Sequence, residues 1–190
     1  MTEWTQRAHV LADHAVSGVL GHVSSLHFDT MSELLWVGSA SGQLTSHTGA
    51  LPTLPRYTSL AAHGVPKQPR HVRGILSDDK FIISLSEGRV CASQRQGLGR
   101  WSMQIEDHAP GVALAGLCAS PQSASSDIIV GGAAPNSHDA LFALHSISGR
   151  VVRRAVSDGT VTQLRKGSRY LCVGTEQGTI QLHDPRSLHA

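Results

Sequence analysis

The chain has 190 residues, of which 40% are hydrophobic and 16% are charged, and its formal net charge is +2 with histidine neutral. This balance is too apolar for a disordered chain and gives no reason to expect a polyanion as the main partner. The amino-terminal segment lacks a basic stretch followed by an apolar one, and the longest nearly apolar run, from Gly111 to Ala119, is far shorter than the ~18 residues of a membrane helix.

The first predicted elements are a lone strand at about residues 3–12 and, further on, a β-hairpin between Leu34 and His47. In this hairpin an apolar run ends at Val37 and Gly38, a short turn ends at Gly42, and a second run alternates polar with apolar side chains. Glycine can adopt positive φ where a hairpin reverses, and alternation with period two indicates a strand with one packed face.

The same pattern recurs three times further along the chain. The markers of these later copies are Ile83 and Gly88, then Val130 and Gly131, and finally Val173, Gly174, Gly178 and Asp184. When the copies are aligned at Val37, Ile83, Val130 and Val173, their spacings are 46, 47 and 43 residues. A fixed period near this value is the signature of propeller blades.

Each copy is preceded by one further strand candidate, and the first three are followed by another, which gives four strands to a repeat of about 45 residues. The predicted blades span about 20–62, 63–107, 108–156 and 157–190. A β-sandwich also contains many short strands, but it does not sustain a repeat of this length. The sequence therefore predicts an all-β fold, in which residues 1–190 form the N-terminal part of a WD-repeat β-propeller.

Single residues also match the WD pattern, although the motif is degenerate. Asp184 stands at the position of the usual aspartate, and His183 stands where tryptophan is common. His63 and His108 precede the second and third copies, near the position of a common Gly-His pair. No copy contains a Trp-Asp pair.

Four blades can close a ring, but the order of elements favours an open arc of a larger ring. After the third strand of the fourth blade no residues remain for an outer strand, and the lone strand at 3–12 would complete the last blade of a closed ring. The two end faces would then expose apolar side chains, with Leu26, Phe28, Leu171 and Ile180 as candidates. We therefore expect marginal stability and self-association.

The run from Ser24 to Leu60 resembles the first blade of a known family, through His27–Asp29, Glu33–Ser39 and Arg56–Ser59. That family is the catalytic subunit of the poly(A)-nuclease (PAN) deadenylation complex, in its N-terminal WD-repeat domain. The later copies are similar to the following blades, so that the resemblance covers nearly the whole chain from about Trp4.

The resemblance implies a seven-bladed propeller, followed in the full protein by a linker, an inactive ubiquitin-hydrolase-like domain and a two-metal nuclease domain. It implies that this part is a non-catalytic interaction module that docks a pseudokinase-like regulatory subunit and, indirectly, poly(A)-binding protein and the poly(A) ribonucleoprotein. It also implies a location in the cytoplasm, including P-bodies. The alternative is a WD-repeat scaffold of an unrelated intracellular complex.

None of the catalytic machinery of such a nuclease can be placed on this sequence. Two-metal chemistry needs clustered carboxylates, and the usual opening signature is Asp-x-Glu. The five glutamates are preceded, two positions earlier, by Met1, Met31, Leu85, Gln104 and Gly174. We therefore expect no catalytic, cofactor-binding or metal-binding residue.

Histidine, cysteine and the basic residues lead to the same expectation. Among twelve histidines, His9 with His14 and His22 with His27 are the pairs three to five residues apart, and on extended strands a five-residue offset puts them on opposite faces. The three cysteines form no CxxC pair, which favours buried thiols in a reducing, intracellular compartment.

A basic run could bind RNA phosphates, but a solvated strand edge is favoured, and we expect no direct RNA contact and no membrane contact. This run contains Arg153, Arg154, Arg165, Lys166 and Arg169.

Overall fold

Strands account for all of the regular structure in the part of the chain that the computed structural model describes. That part comprises residues 22–29, 31–48, 56–65, 68–78, 80–95, 99–104, 113–119, 127–133, 139–167 and 169–188. A membrane-spanning helix, with the length and apolar character it requires, is not found among these residues. The predicted lone strand at 3–12 and the predicted marker His108 lie outside them.

The strands form four antiparallel sheets that follow one another along the chain, and within each sheet the spatial order of the strands follows the sequence. The first sheet contains β1 (Val23–Asp29), β2 (Leu34–Ser39), β3 (Gln43–Thr48) and β4 (Arg56–Ala61). A short hairpin of β5 (Gly64–Val65) and β6 (Gln68–Pro69) leads to the second sheet. The second sheet contains β7 (Gly74–Ser77), β8 (Phe81–Ser86), β9 (Arg89–Gln94) and β10 (Gly99–Gln104).

The remaining two sheets repeat this arrangement, and the predicted all-β propeller architecture is confirmed. The third sheet contains β11 (Ala113–Ala119), β12 (Asp127–Ala133), β13 (Asp139–His145) and β14 (Val151–Val156). The fourth contains β15 (Val161–Lys166), β16 (Leu171–Thr175) and β17 (Ile180–His183). The sequence did not predict the β5–β6 hairpin.

Glycine is required at two of the predicted hairpin turns. Gly42, between β2 and β3, has a φ of 85°, and Gly178, between β16 and β17, has a φ of 78°. A Cβ atom at Gly42 would lie 1.9 Å from the backbone oxygen of His63, so no other residue fits there without a shift of the chain. Gly88 occupies the tight turn between β8 and β9 without a positive φ.

The sheets are joined in sequence by three apolar seams, which we call the first, second and third seam. In the first, Leu34, Trp36 and Leu44 pack with Ile82. In the second, residues of β8 and β9 pack with Ile128, Val130, Phe142 and Leu144. In the third, residues of β12 and β13 pack with Val161, Leu164, Leu171 and Val173.

Neighbouring residues of the second strand of a sheet face different seams, because side chains alternate along a strand. Ile82 lies in the first seam and Ile83 in the second. The residues at the repeat markers Val130 and Val173 face the preceding sheet. Ile82, one position before the aligned Ile83, is therefore the residue of the second sheet on the equivalent face.

His63, which precedes the second sheet, is fully buried and connects the first two sheets. Its backbone N–H donates to the oxygen of Gly42 at 2.9 Å, and its Nε2 lies 2.9 Å from Ser84 Oγ on β8. Cys91 Sγ lies 3.7 Å from its Nδ1. The imidazole thus holds the β2–β3 turn against the second sheet.

The end faces of the arc carry exposed apolar side chains, as expected for Leu26, Phe28 and Ile180. Leu26 and Phe28 on β1 are 64% and 56% exposed, and Ile180 on β17 is 78% exposed. The expectation for Leu171 is wrong, because its side chain faces the third seam and is fully buried. Among the described strands, consecutive sheets pack on one another, whereas the first and fourth sheets have no comparable packing.

We predict that a double substitution, Phe28→Ser with Ile180→Ser, shifts the chain towards monomer. Both side chains are exposed at the ends of the arc. Polar replacements therefore remove apolar surface that favours self-association, and they leave the buried core unchanged. Sedimentation velocity at several concentrations measures the change. Val152→Ser is the matched control, since Val152 is 48% exposed on the third sheet. A parent chain that is monomeric at every concentration would contradict the prediction.

We predict that part of the stability of the chain is lost between neutral pH and pH 4 because of His63. Burial, with the charges of Arg89 and Arg70, lowers the pKa of His63 from 6.5 to about 4, although the hydrogen bond with Ser84 opposes the shift. The unfolded chain then binds a proton that the folded chain excludes, so the free energy of unfolding falls as the pH drops below 6.5. The loss should reach about 2 kcal/mol by pH 5.

The measurement is urea unfolding of the parent chain and of His63→Gln at pH 7.5 and pH 5. Glutamine can keep a hydrogen bond to Ser84 but does not titrate. The variant should lose less stability on acidification than the parent. An equal loss in both would show that other groups cause the acid sensitivity.

Candidate functional site

A buried ion pair joins the first two sheets at one end of their seam. Asp29 ends β1, and Arg95 follows β9 in the second sheet. Both guanidinium Nη groups donate to the carboxylate, one of them at 3.2 Å, and the side chains are 1% and 17% exposed. Arg95 Nε also donates to the backbone oxygen of Asp78 at 2.9 Å, and Nη1 donates to Ser32 Oγ at 2.8 Å. The arginine therefore ties together the β1–β2 and β7–β8 turns.

Asp29 stays ionised beside Arg95 in the folded state, because its pKa is lowered. Burial by itself favours the neutral carboxyl, but hydrogen bonds from Arg95 and Met31, with the charge of Arg95, lower the pKa of Asp29 overall. Next to it, His27 Nε2 lies 2.8 Å from Ser77 Oγ across the same seam. Burial lowers the pKa of His27, which favours a neutral imidazole there.

The second seam is fastened at its outer edge by an aromatic side chain. Trp101 on β10 donates its indole Nε1–H to the backbone oxygen of Ser146 at 2.8 Å. Its ring lies against Gly149, whose φ is 68° and whose hypothetical Cβ would be 2.6 Å from Trp101 Cε3. Only glycine fits at this point of the β13–β14 turn, so the turn and the outer strand of the second sheet are held together.

Beside this contact lies a cleft of about 350 Å³, which we call the outer cleft. Its lining residues come from two sheets and are Ser102, Met103, Ser148, Gly149, Arg150, Val151 and Arg154. Arg89 Nη2 donates to Ser102 Oγ at 2.9 Å, which places a further cation beside the cleft. None of the seven lining residues is acidic.

Arg153 connects the third sheet with the segment that follows β17. It forms an ion pair with Asp127 at the start of β12 and donates to the backbone oxygen of Arg186. Arg154, the next residue, faces the outer cleft instead. The basic run is therefore divided between two faces of β14, while Arg165, Lys166 and Arg169 are exposed on the fourth sheet.

The residues at the WD-like end of the fourth repeat have structural contacts. His183 is buried, with Nδ1 2.8 Å from the oxygen of Leu188 and Nε2 3.0 Å from Gln181 Oε1. Leu188 has a φ of 62° and is fully buried in the third seam. Asp184 is exposed, and its Oδ1 accepts the backbone N–H of Arg186 at 2.8 Å. His183 thus occupies a buried anchoring position, and Asp184 supports the turn.

The repeat markers lie at structural positions in the sheets. Val37, Ile83, Val130 and Val173 are buried on the second strand of the four sheets, and Gly38, Gly131 and Gly174 follow three of them. A Cβ at Gly38 would meet Val72 at 2.6 Å, and one at Gly131 would meet Val161 at 2.7 Å, so both glycines allow close approach across a seam.

The described residues contain no group of three or more His, Cys, Asp or Glu side chains that could hold a metal ion. His9 and His14 lie outside those residues, and His27 contacts Ser77. Burial raises the pKa of the Cys91 thiol to about 11, which makes it a poor nucleophile.

Sequence reasoning missed three long-range polar contacts that connect one sheet with the next or with the segment after it. Their partners are 66, 45 and 33 residues apart in the Asp29–Arg95, Trp101–Ser146 and Arg153–Arg186 contacts. The signal in the sequence was position alone, because Asp29, Arg95, Trp101 and Arg153 all lie within two residues of a strand end. Such a position puts the residue at a seam but does not identify its partner.

We predict that Arg95→Met destabilises the chain by roughly 3 kcal/mol, because it leaves the buried carboxylate of Asp29 without its charged partner. Urea unfolding at pH 7 measures the loss. The matched control is Arg73→Met, which removes an ion pair with Glu87 whose side chains are 40% and 58% exposed, and it should cost less than about 1 kcal/mol. Equal effects of the two substitutions would contradict the prediction.

The pH dependence gives a second readout of the same pair. Because the folded pKa of Asp29 is lowered, the pair stabilises the chain above the unfolded value of 3.8, and this contribution is lost as the pH falls through the folded value. Without Arg95, burial is no longer offset by the hydrogen bonds and charge of the guanidinium, so the acid-induced loss assigned to Asp29 should shrink or reverse to a gain.

Comparison with known proteins identifies the family to which this fold belongs. The family model described as PAN2 N-terminal matches residues 8–190. The PAN2-PAN3 deadenylation complex catalytic subunit pan2 of Aspergillus oryzae is 36% identical over 158 residues, which are 83% of this chain and 12% of that protein. The chain thus spans only about 12% of the length of this curated relative.

Solved structures show the same architecture. The Neurospora crassa Pan2 WD40 domain superposes with a TM-score of 0.78 at 27% identity, over 97% of this chain and 54% of that one. The WD40 β-propeller domain of Doa1 has a TM-score of 0.65 at 15% identity, over 86% of this chain and 51% of that one, and shows the fold alone. Together with the family match from residue 8 to residue 190, the WD-type sheets and seams show that the chain belongs to the PAN2 N-terminal family.

Proposed function

We propose that the chain is the non-catalytic docking propeller of the catalytic subunit of a PAN2-PAN3-type deadenylation complex. The observation that carries the proposal is the family match over residues 8–190. Its relatives are catalytic subunits, of which it covers about 12% of the length. This match favours the deadenylation complex over the alternative of an unrelated WD-repeat scaffold.

The first partner in this proposal is a PAN3-type regulatory subunit, since the names of the relatives pair PAN2 with PAN3. The sequence resemblance adds a pseudokinase-like character to that subunit and makes poly(A)-binding protein and the poly(A) ribonucleoprotein indirect partners in the cytoplasm, including P-bodies. The geometry suits docking. The Asp29–Arg95 ion pair and the Trp101 contact fix the sheets relative to one another, so that their turns form a defined surface.

Binding of the regulatory subunit tests the proposal. The chain, immobilised through a terminal tag, should retain the purified PAN3-type subunit of its own organism, while a WD40 propeller from an unrelated complex should not. A further addition of poly(A) carrying poly(A)-binding protein should increase retention only when the regulatory subunit is present. Failure to retain the regulatory subunit above the control propeller would contradict the docking role.

The chain itself should have no nuclease activity. Its sequence lacks an Asp-x-Glu signature, and two-metal hydrolysis needs carboxylates grouped around two ions about 4 Å apart. Labelled poly(A) incubated with the purified chain and magnesium should keep its length. Shortening that follows the chain through successive purification steps and is abolished by a chelator would contradict this expectation.

A further inference from the structure

We propose that the outer cleft binds an extended, acidic segment of a partner protein. The proposal goes beyond the docking role above and stands on the local geometry of the cleft. It concerns one surface, at the outer edge of the second seam, and one chemistry, a peptide with carboxylate side chains next to aliphatic ones.

The charge of the cleft is the first observation. Arg150 and Arg154 line it, and Arg89 is hydrogen-bonded to the lining Ser102. Arginine presents a planar set of donors that matches a carboxylate, and the hydroxyl groups of Ser102 and Ser148 add further polar positions. With no acidic residue in the lining, an incoming carboxylate meets no like charge there.

The strand edges are the second observation. β10 and β14 are the terminal strands of their sheets in the order of described strands, so their outer edges have no partner strand. An extended peptide can satisfy the N–H and C=O groups of such an edge by adding a strand, and its alternate side chains then point into the adjoining pocket. Both strands contribute to the lining of the cleft, with Ser102 and Met103 from β10 and Val151 and Arg154 from β14.

The apolar part of the surface is the third observation. Met103 and Val151 belong to the lining, and the ring of Trp101 packs beside it on Gly149. On the same strand as Val151, Val152 and Val156 are 48% and 49% exposed. A peptide that lies along β14 would therefore meet alternating charged and aliphatic positions.

A peptide fits these features better than a nucleic acid does. Binding of a phosphate backbone needs a continuous track of cations. Here Arg153 is turned to the other face and paired with Asp127, and the exposed Arg165, Lys166 and Arg169 lie on the fourth sheet. A nucleic acid also offers no ladder of main-chain groups to a strand edge.

The test is a selection of random 12-residue peptides displayed on phage, against the full 190-residue chain fused to a soluble carrier protein. Two variants introduce a negative charge into the lining, Arg150→Glu and Ser102→Glu. The matched control is Arg169→Glu, which makes the same charge change as Arg150→Glu at an exposed position in the β15–β16 turn. All three positions are exposed, and an unchanged melting temperature of each variant confirms folding. Fluorescently labelled 12-nucleotide oligo(A) is measured in parallel.

The expected result is enrichment of peptides in which Asp or Glu adjoins aliphatic residues. Each of the two cleft variants should weaken their binding by about tenfold or more, as expected for loss of a charge-assisted hydrogen bond or for repulsion, while Arg169→Glu leaves it unchanged. Three results would overturn the proposal. They are no enrichment over the carrier, enriched peptides that the cleft variants bind equally well, and oligo(A) binding that the cleft variants lose while acidic peptides fail to compete.

Discussion

Every inner sheet of this chain must be covered on both faces, and the rest of the structure depends on that constraint. Ile82 and Ile83 are consecutive and both buried, one in the first seam and one in the second. Ile129 and Val130 divide in the same way between the third and second seams. A sheet that is apolar on both sides can be stable only between two others, so the sheets pack in series. The same constraint leaves the outward faces of the first and fourth sheets with exposed leucine, phenylalanine and isoleucine.

Polar contacts then fix how one sheet is placed on the next. Apolar packing is tolerant of small shifts, whereas the pairing of Arg95 with Asp29, and its bond to the backbone of Asp78, can form in only one arrangement. Trp101 does the same at the outer edge of the second seam, because its indole fits only against a glycine. A defined arrangement of turns and outer strands is what a docking surface such as the outer cleft requires.

The sequence predicted the parts of the fold that depend on local pattern. Period-two alternation and the glycines at positions 42 and 178 place the hairpins, and the repeat of about 45 residues places the four sheets. The sequence-based prediction was wrong where a shift of one residue changes which face of the sheet a side chain occupies. Ile83 was aligned one residue away from the equivalent Ile82, and Leu171 was assigned to the outer face when it faces the core. The outer cleft could not be predicted at all, because β10 and β14 meet only after the second seam has formed.

The open arc is tested most directly by a cysteine pair across the two end faces. Leu44 and Ile75 share the apolar cluster of the first seam. The strand registers place Ile180 of the fourth sheet at the position that Leu44 has in the first. They likewise place Val23 of the first sheet at the position that Ile75 has in the second. In a closed four-bladed ring these two positions would meet and could form a disulfide. The measurement is intramolecular disulfide formation by Val23→Cys with Ile180→Cys, at low concentration, in a chain without its native cysteines. The arc predicts no intramolecular bond, and efficient formation of that bond within single chains would contradict it.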